Sequence, residues 1–216
     1  MSAGVGDSAA EGELPGVPWE DQTVRFPGSL ILTLRQSLLA PSEFFRWLHY
    51  EESLARPLLY YLIVSIVSAF FVLVWRSAGP SLYPGLAPLE TGLDPLVQFF
   101  LEPFAALFAL AFGVFVLQLM VLALVPNQRG FRATSRVCCY AWGPAILTAI
   151  PLLGPLLALV WSVTLLSIGI RVGHQTTAGR AAAVVLVPLV GLLMLLLFLA
   201  LLLLAPDTSP LELIGW

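Results

Sequence analysis

Lysine is missing: all ten cations of this 216-residue chain are arginines. Charge of either sign is scarce, at 11% of residues, where an ordinary soluble domain carries about 25%. Thirteen acids against ten arginines leave a net charge of −3, so the basic footprint of a nucleic-acid-binding protein is absent. Cysteine is nearly absent. Cys138 and Cys139 are neighbours whose side chains diverge, which excludes a disulfide framework and a cysteine-based zinc site. They read as two small buried residues. The chain has no Gly-x-Ser-x-Gly, no His-Glu-x-x-His and no glycine-rich phosphate loop ending in lysine. Its two histidines, His49 and His174, lack a set of acids or thiols around them beyond Glu51 and Glu52. The expectation is therefore a non-enzymatic protein with no cofactor and no metal.

What the chain does have is apolar surface. Apolar residues make up 59% of it, and its mean hydropathy is +0.93. A water-soluble fold of this length cannot hide so much apolar area. The chain reads as an all-α integral membrane protein whose first partner is the lipid bilayer. Residues 1–28 read as a disordered acidic tail, with five acids against Arg25 and frequent Gly and Pro. No positive n-region precedes an apolar core there, so no cleavable signal peptide is expected. Residues 29–56 read as an amphipathic interfacial segment. Leu30, Ile31, Leu34 and Leu38 recur at helical spacing, Pro41 breaks the helix, and Phe44, Phe45, Trp47 and Leu48 follow.

Four charge-free runs come next: 57–75, 103–128, 137–170 and 181–206. The third, as one helix, would be about 51 Å long, against a hydrocarbon core of ~30 Å. It contains Pro151-Leu-Leu-Gly-Pro155, a strong turn signal. Dividing it there predicts five spans, at about 57–76, 103–125, 131–150, 155–170 and 181–205, with a short outer tail at 206–216. A re-entrant hairpin over 137–170 would leave the same loops on the same sides. With five spans, nine of the ten arginines face one side and only Arg76 the other. The positive-inside rule then puts the N-terminus in the cytoplasm and the C-terminus outside.

Individual residues refine this picture. Arg132, Arg136, Arg171 and Arg180 flank spans and are expected to anchor them by snorkelling to the headgroups. Glu102 and Gln118 are the polar groups nearest span interiors. Glu102 precedes Pro103, a residue favoured in a first helical turn, so it is expected at the outer interface beside a helix N-terminus. Gln118 is expected to make an interhelical hydrogen bond. Tyr61, Ser65 and Ser68 form a mild polar stripe expected to face protein. Small residues recur at four-residue spacing in three rows: Ala105, Ala109 and Gly113; Ala141, Ala145 and Ala149; and Gly154, Ala158 and Ser162. Such rows let helices approach closely and are expected to be the packing seams. The leucine-rich stretch Leu192–Leu204 is expected to face lipid.

Phe131-Arg-Ala-Thr-Ser-Arg-Val-Cys-Cys-Tyr140-Ala-Trp-Gly-Pro144, the Ile150–Pro155 turn and Arg171-Val-Gly-His174 through Arg180 resemble the Yip family, the Ypt/Rab-interacting membrane proteins. Ala40-Pro-Ser-Glu-Phe-Phe-Arg46 is similar to that family's membrane-proximal segment. The resemblance covers roughly 29–205. It implies five spans, a cytoplasmic N-terminus and a scaffold or adaptor that binds a protein partner or shapes the bilayer. A homo-oligomer is compatible with it. The resemblance is to the family's bacterial branch, and the missing lysine and the single asparagine, Asn127, suggest a GC-rich genome and hence a bacterial cytoplasmic membrane. The family's Rab-binding members carry Asp-Leu-Tyr-Gly-Pro before the first span. This chain lacks it, and Ser81-Leu-Tyr-Pro-Gly85 is similar in letters only, so a Rab-type GTPase partner is not implied. The competing reading is a small transporter or permease component, with Glu102, Gln118 and hydroxyl residues lining its path.

Overall fold

The structure, a computed structural model, describes residues 16–21, 23–82 and 94–204. Every regular element among them is helical: α1 (Gly28–Leu39), α2 (Pro41–Arg46), α3 (Ala55–Leu82), α4 (Pro95–Leu124), α5 (Phe131–Ala141), a 3-10 segment (Gly143–Ala149), α6 (Gly154–Gly173) and α7 (Ala178–Leu204). Four helical stretches are long and apolar enough to cross a bilayer: Ala55–Ala78, Pro95–Leu124, Gly154–Gly173 and Ala178–Leu202. That corrects the expected five. The segment expected to be the third span, 131–150, is not a span helix. Its α-helix has 11 residues, about 16 Å, and gives way after Trp142 to the 3-10 segment. Pro144 has no N–H to donate into an α-helical turn there, and Gly143 offers no propensity to resist the break.

This broken segment is the centre of the molecule. Helix α5 packs on α3, α4 and α6, and the 3-10 segment packs on α1, α3 and α6. All nine residues from Ala133 to Ala141 are buried. A helix enclosed on every side must match its polar groups internally, and Thr134, Ser135 and Arg136 set that problem for the fold. The 3-10 segment ends beside the distal part of α3, where Thr148 shares a hydrogen bond with Ser68 and accepts one from Trp75 at its carbonyl. Helix α6 then returns. Gly154 lies so close to Leu147 that a Cβ would come within 2.1 Å of its carbonyl oxygen. At the far end of α6, a Cβ on Gly169 would meet Val137 at 2.5 Å, and one on Gly173 would meet Tyr50 at 2.9 Å.

The starts of α3, α5 and α7 and the ends of α4 and α6 gather at one end of the bundle. Tyr50, Glu51, Ser53, Arg129, Arg132, Arg136 and His174 meet there. Helix α7 leaves that end and extends for about 40 Å. Only its first part packs, through Ala181, Val184 and Val185, and residues 191–202 are all exposed. Helix α1 shows an inverted burial pattern. It buries Ser29, Thr33 and Ser37, at four-residue spacing, and exposes Ile31, Leu32 and Leu39.

Candidate functional site

The most developed polar site sits at the gathered end, around Arg136. This arginine is 0% exposed. Its Nη2 donates to both carboxylate oxygens of Glu20, at 2.5 and 2.6 Å, and its Nη1 donates to the Ser53 carbonyl at 2.7 Å. Tyr140, one turn along α5, donates its hydroxyl to Glu20 Oε1 at 2.6 Å. Nε of Arg136 has no partner. The expectation that Arg136 snorkels to the headgroups is therefore wrong. A guanidinium on an enclosed helix cannot reach water, so it recruits a carboxylate instead. Arg132, four residues earlier, is exposed and donates to the Glu51 carbonyl, at 3.3 Å. Arg171 and Arg180 are exposed as well.

Glu20 comes from the stretch expected to be disordered, and from Gly16 onward that expectation fails. Val17 and Trp19 are buried, and the chain turns on itself through Glu20 N–H to the Val17 carbonyl at 2.9 Å. Trp19 N–H donates to Thr33 Oγ1 at 2.9 Å, and its indole donates to the Arg56 carbonyl at 2.7 Å. Arg56 in turn donates to the Trp19 carbonyl at 3.3 Å. The indole stands edge-on to Tyr60, which packs on Tyr140, which packs on Phe44. Composition alone hid this. The only sequence cue was Val17-Pro-Trp-Glu20, a dense apolar and acidic cluster inside a Gly- and Pro-rich tail. Residues 1–15 and the tail at 206–216 lie outside the described residues.

A second network joins α4, α5 and α6. Arg129 N–H donates to His174 Nδ1 at 3.2 Å, which assigns the ring proton to Nε2. Nε2 faces Thr134 Oγ1 at 3.1 Å, and that hydroxyl donates to Gln118 Oε1 at 2.6 Å. Gln118 Nε2 reaches Gln128 at 3.5 Å. Gln118 thus makes its interhelical bond. Burial, then the nearby Arg129 charge, push His174 down to about 4, so the ring is neutral at physiological pH. Arg129 also lies over the ring of Tyr50, 5.4 Å from its centroid. Tyr50 is buried and donates to the Phe45 carbonyl at 2.6 Å.

At the other end, α3 and α4 line a half-open cleft of about 120 Å³ whose walls include Ser68, Arg76, Gln98 and Glu102. Arg76 donates to Gln98 Oε1. The expected position of Glu102 at a helix start is corrected. Asp94 caps α4, accepting from Leu96 N–H at 2.8 Å, and Pro95 takes the first helical position. Pro103 is therefore inside the helix, and Glu102 is half-buried about two turns in. Tyr61 and Ser65 face inward, Tyr61 donating to the Ala106 carbonyl at 2.9 Å.

The small-residue rows divide. Ala105 and Ala109 are exposed and Gly113 has open space around it, so that row is not an internal seam. The packed face of α4 is Ala106, Leu110, Val114, Leu117 and Val121. Ala141 and Ala145 are buried and Ala149 half-buried, but the helix breaks between them. Gly154 and Ala158 are buried against the hairpin, and Ser162 is half-buried. Gly143, Gly169 and Gly173 are closer contacts than most of the expected rows and were missed. No group of three or more His, Cys, Asp or Glu residues among those described could hold a metal ion.

No curated protein and no solved structure matches the chain. The family model of the Yip1 domain matches residues 35–201, which takes in both polar networks except the Trp19–Glu20 segment and its Thr33 contact. With four bilayer-length apolar helices around a broken central one, the chain belongs to the Yip1-domain family of membrane proteins.

Proposed function

We propose that this protein is a non-enzymatic membrane scaffold or adaptor that binds a protein partner from its arginine-rich end. The observation that carries this reading is how the polar side chains within the bundle are used. Tyr61, Ser68, Trp75, Gln118 and Thr134 are bonded to other helices of the same chain. Groups spent on holding helices together do not line a through-path, which weighs against a transporter. Eight of the ten arginines are exposed, and all eight belong to elements that begin or end at the gathered end or to the segments leading into it, Arg76 and the buried Arg136 being the other two.

The same charge distribution supports a cytoplasmic gathered end. The inverted pattern of α1 supports a helix lying in the membrane interface beside that end. The outward-facing row of exposed Ala105 and Ala109 and half-buried Gly113 supports approach of a second copy, in keeping with a homo-oligomer. The absent Asp-Leu-Tyr-Gly-Pro motif favours a partner other than a Rab-type GTPase. The all-arginine cation set favours the bacterial branch and a bacterial cytoplasmic membrane. Photo-crosslinkers at Arg46 and Arg129 in native membranes should capture one recurrent partner, while proteoliposomes show no solute flux. Saturable, substrate-specific flux would overturn the scaffold reading in favour of a permease component.

A further inference from the structure

The contacts around residues 17–20 are those of a bound peptide. Among the described residues, no main-chain ladder joins this segment to the bundle. Scaffold side chains instead take both main-chain groups of Trp19, through Thr33 Oγ1 and Arg56 Nη1. The indole packs on Tyr60 and donates to a main-chain carbonyl. The Glu20 carboxylate enters a cleft whose floor is Arg136 and whose wall is the Tyr140 hydroxyl. Arg136 is a permanent charge with no route to water, and its Nε lacks an acceptor even with Glu20 in place. Asp21, Thr23, Arg25, Phe26 and Pro27, which follow Glu20 toward α1, are exposed.

We propose that the groove between α1, α3 and α5 is a peptide-binding site that reads an apolar residue, then Trp-Glu two and three places on. The protein's own residues 17–20 occupy it, and a partner carrying a similar aromatic–acidic segment docks by displacing them. Recognition of main-chain groups and an indole, besides a carboxylate, favours a peptide over a lipid phosphate. The partner half of this proposal rests on the adaptor reading; the groove itself does not. A tethered occupant holds the site at millimolar effective concentration, so an outside segment succeeds only when confined to the same membrane or when the tether is pulled away.

The test uses a labelled peptide copying residues 16–22 and the protein in phosphatidylcholine nanodiscs. A chain lacking residues 1–21 should bind the peptide at least about 100-fold more tightly than the full chain does. A peptide with glutamine for Glu20, or alanine for Trp19, should lose that binding. Where the shortened chain does not fold, a protease site inserted after Thr23 in the full chain is cut after assembly. The freed segment should then exchange with labelled peptide. A folded shortened chain that ignores the peptide, or a cut segment that never exchanges, makes residues 17–20 a structural strut and overturns the proposal. Equal binding of the Glu20→Gln peptide overturns the carboxylate specificity. Displacement by phosphatidylglycerol in the nanodisc moves the site to lipid and overturns the peptide reading. Peptide binding without any partner crosslink in native membranes would sink the adaptor reading alone.

Discussion

Arg136 and Arg132 differ in worth although they sit one helical turn apart. Glu20→Gln leaves a fully buried guanidinium without its counter-ion, a change of about 3–5 kcal/mol. The double variant Glu20→Leu/Arg136→Met removes both charges and should recover a large part of that loss, because well-packed apolar replacements of buried pairs are often neutral. Arg132→Gln, at an exposed site, should stay within about 0.5 kcal/mol of wild type. Denaturant unfolding in mild detergent reads all three, and an Arg132 effect as large as that of Glu20 would contradict the geometry. His174 gives a pH signature. Its folded pKa lies near 4 and its unfolded value near 6.5, so the unfolded chain takes up the proton first as pH falls. Its contribution is whole above pH 6.5 and lost progressively down to about pH 4; the gap is worth at most about 3.4 kcal/mol, which solvent screening at this helix end cuts to ~2 kcal/mol. His174→Gln should flatten the stability profile over that window. A wild-type profile already flat there would mean the ring is not held neutral.

At the scale of elements, close packing is concentrated along α6 and the broken segment, not along the outer side of α4. Gly154→Ala would push a Cβ against the Leu147 main chain, and Gly169→Ala would press on Val137 and Phe45. Each should lower stability by about 1–3 kcal/mol, and Gly154→Ala should be the worse because main chain cannot step aside as a side chain can. Ala145→Leu, at a buried position, belongs with them. Ala109→Leu points away from the bundle and should leave the monomer's melting temperature unchanged. If Ala109→Leu is damaging while its oligomeric state also changes, a second copy covers that row.

At the scale of the whole molecule, the two ends of the bundle should lie on opposite sides of the membrane. Single cysteines in a Cys138→Ala/Cys139→Ala background report this. An impermeant thiol reagent applied outside the cell should label Asp94→Cys and leave Gln128→Cys and Thr177→Cys untouched. Label at 128 or 177 would reverse the orientation inferred from arginine exposure.

Composition alone determined that this chain lives in a bilayer, because apolar area in such excess has nowhere else to go. Charge-free runs located the four long helices to within a turn or so at most ends. Asp94-Pro95 was a stronger start signal than Pro103 and moved one boundary by eight residues. The Pro151–Pro155 turn and the interhelical bond of Gln118 were legible for the same reason: both follow from local chemistry. What the tertiary structure decided was everything that depends on which neighbours surround an element. Whether 131–150 is a span could not be read from its letters. The segment is enclosed by other helices rather than lipid, and an enclosed segment is free to break and to carry an arginine. Whether a small-residue row packs depends on helix rotation: one residue's shift turns Ala106 inward and Ala105 outward. The pairing of Glu20 with Arg136 joins positions 116 residues apart. No local pattern encodes such a pair; it exists because the fold buries a charge and brings the Glu20 carboxylate to it.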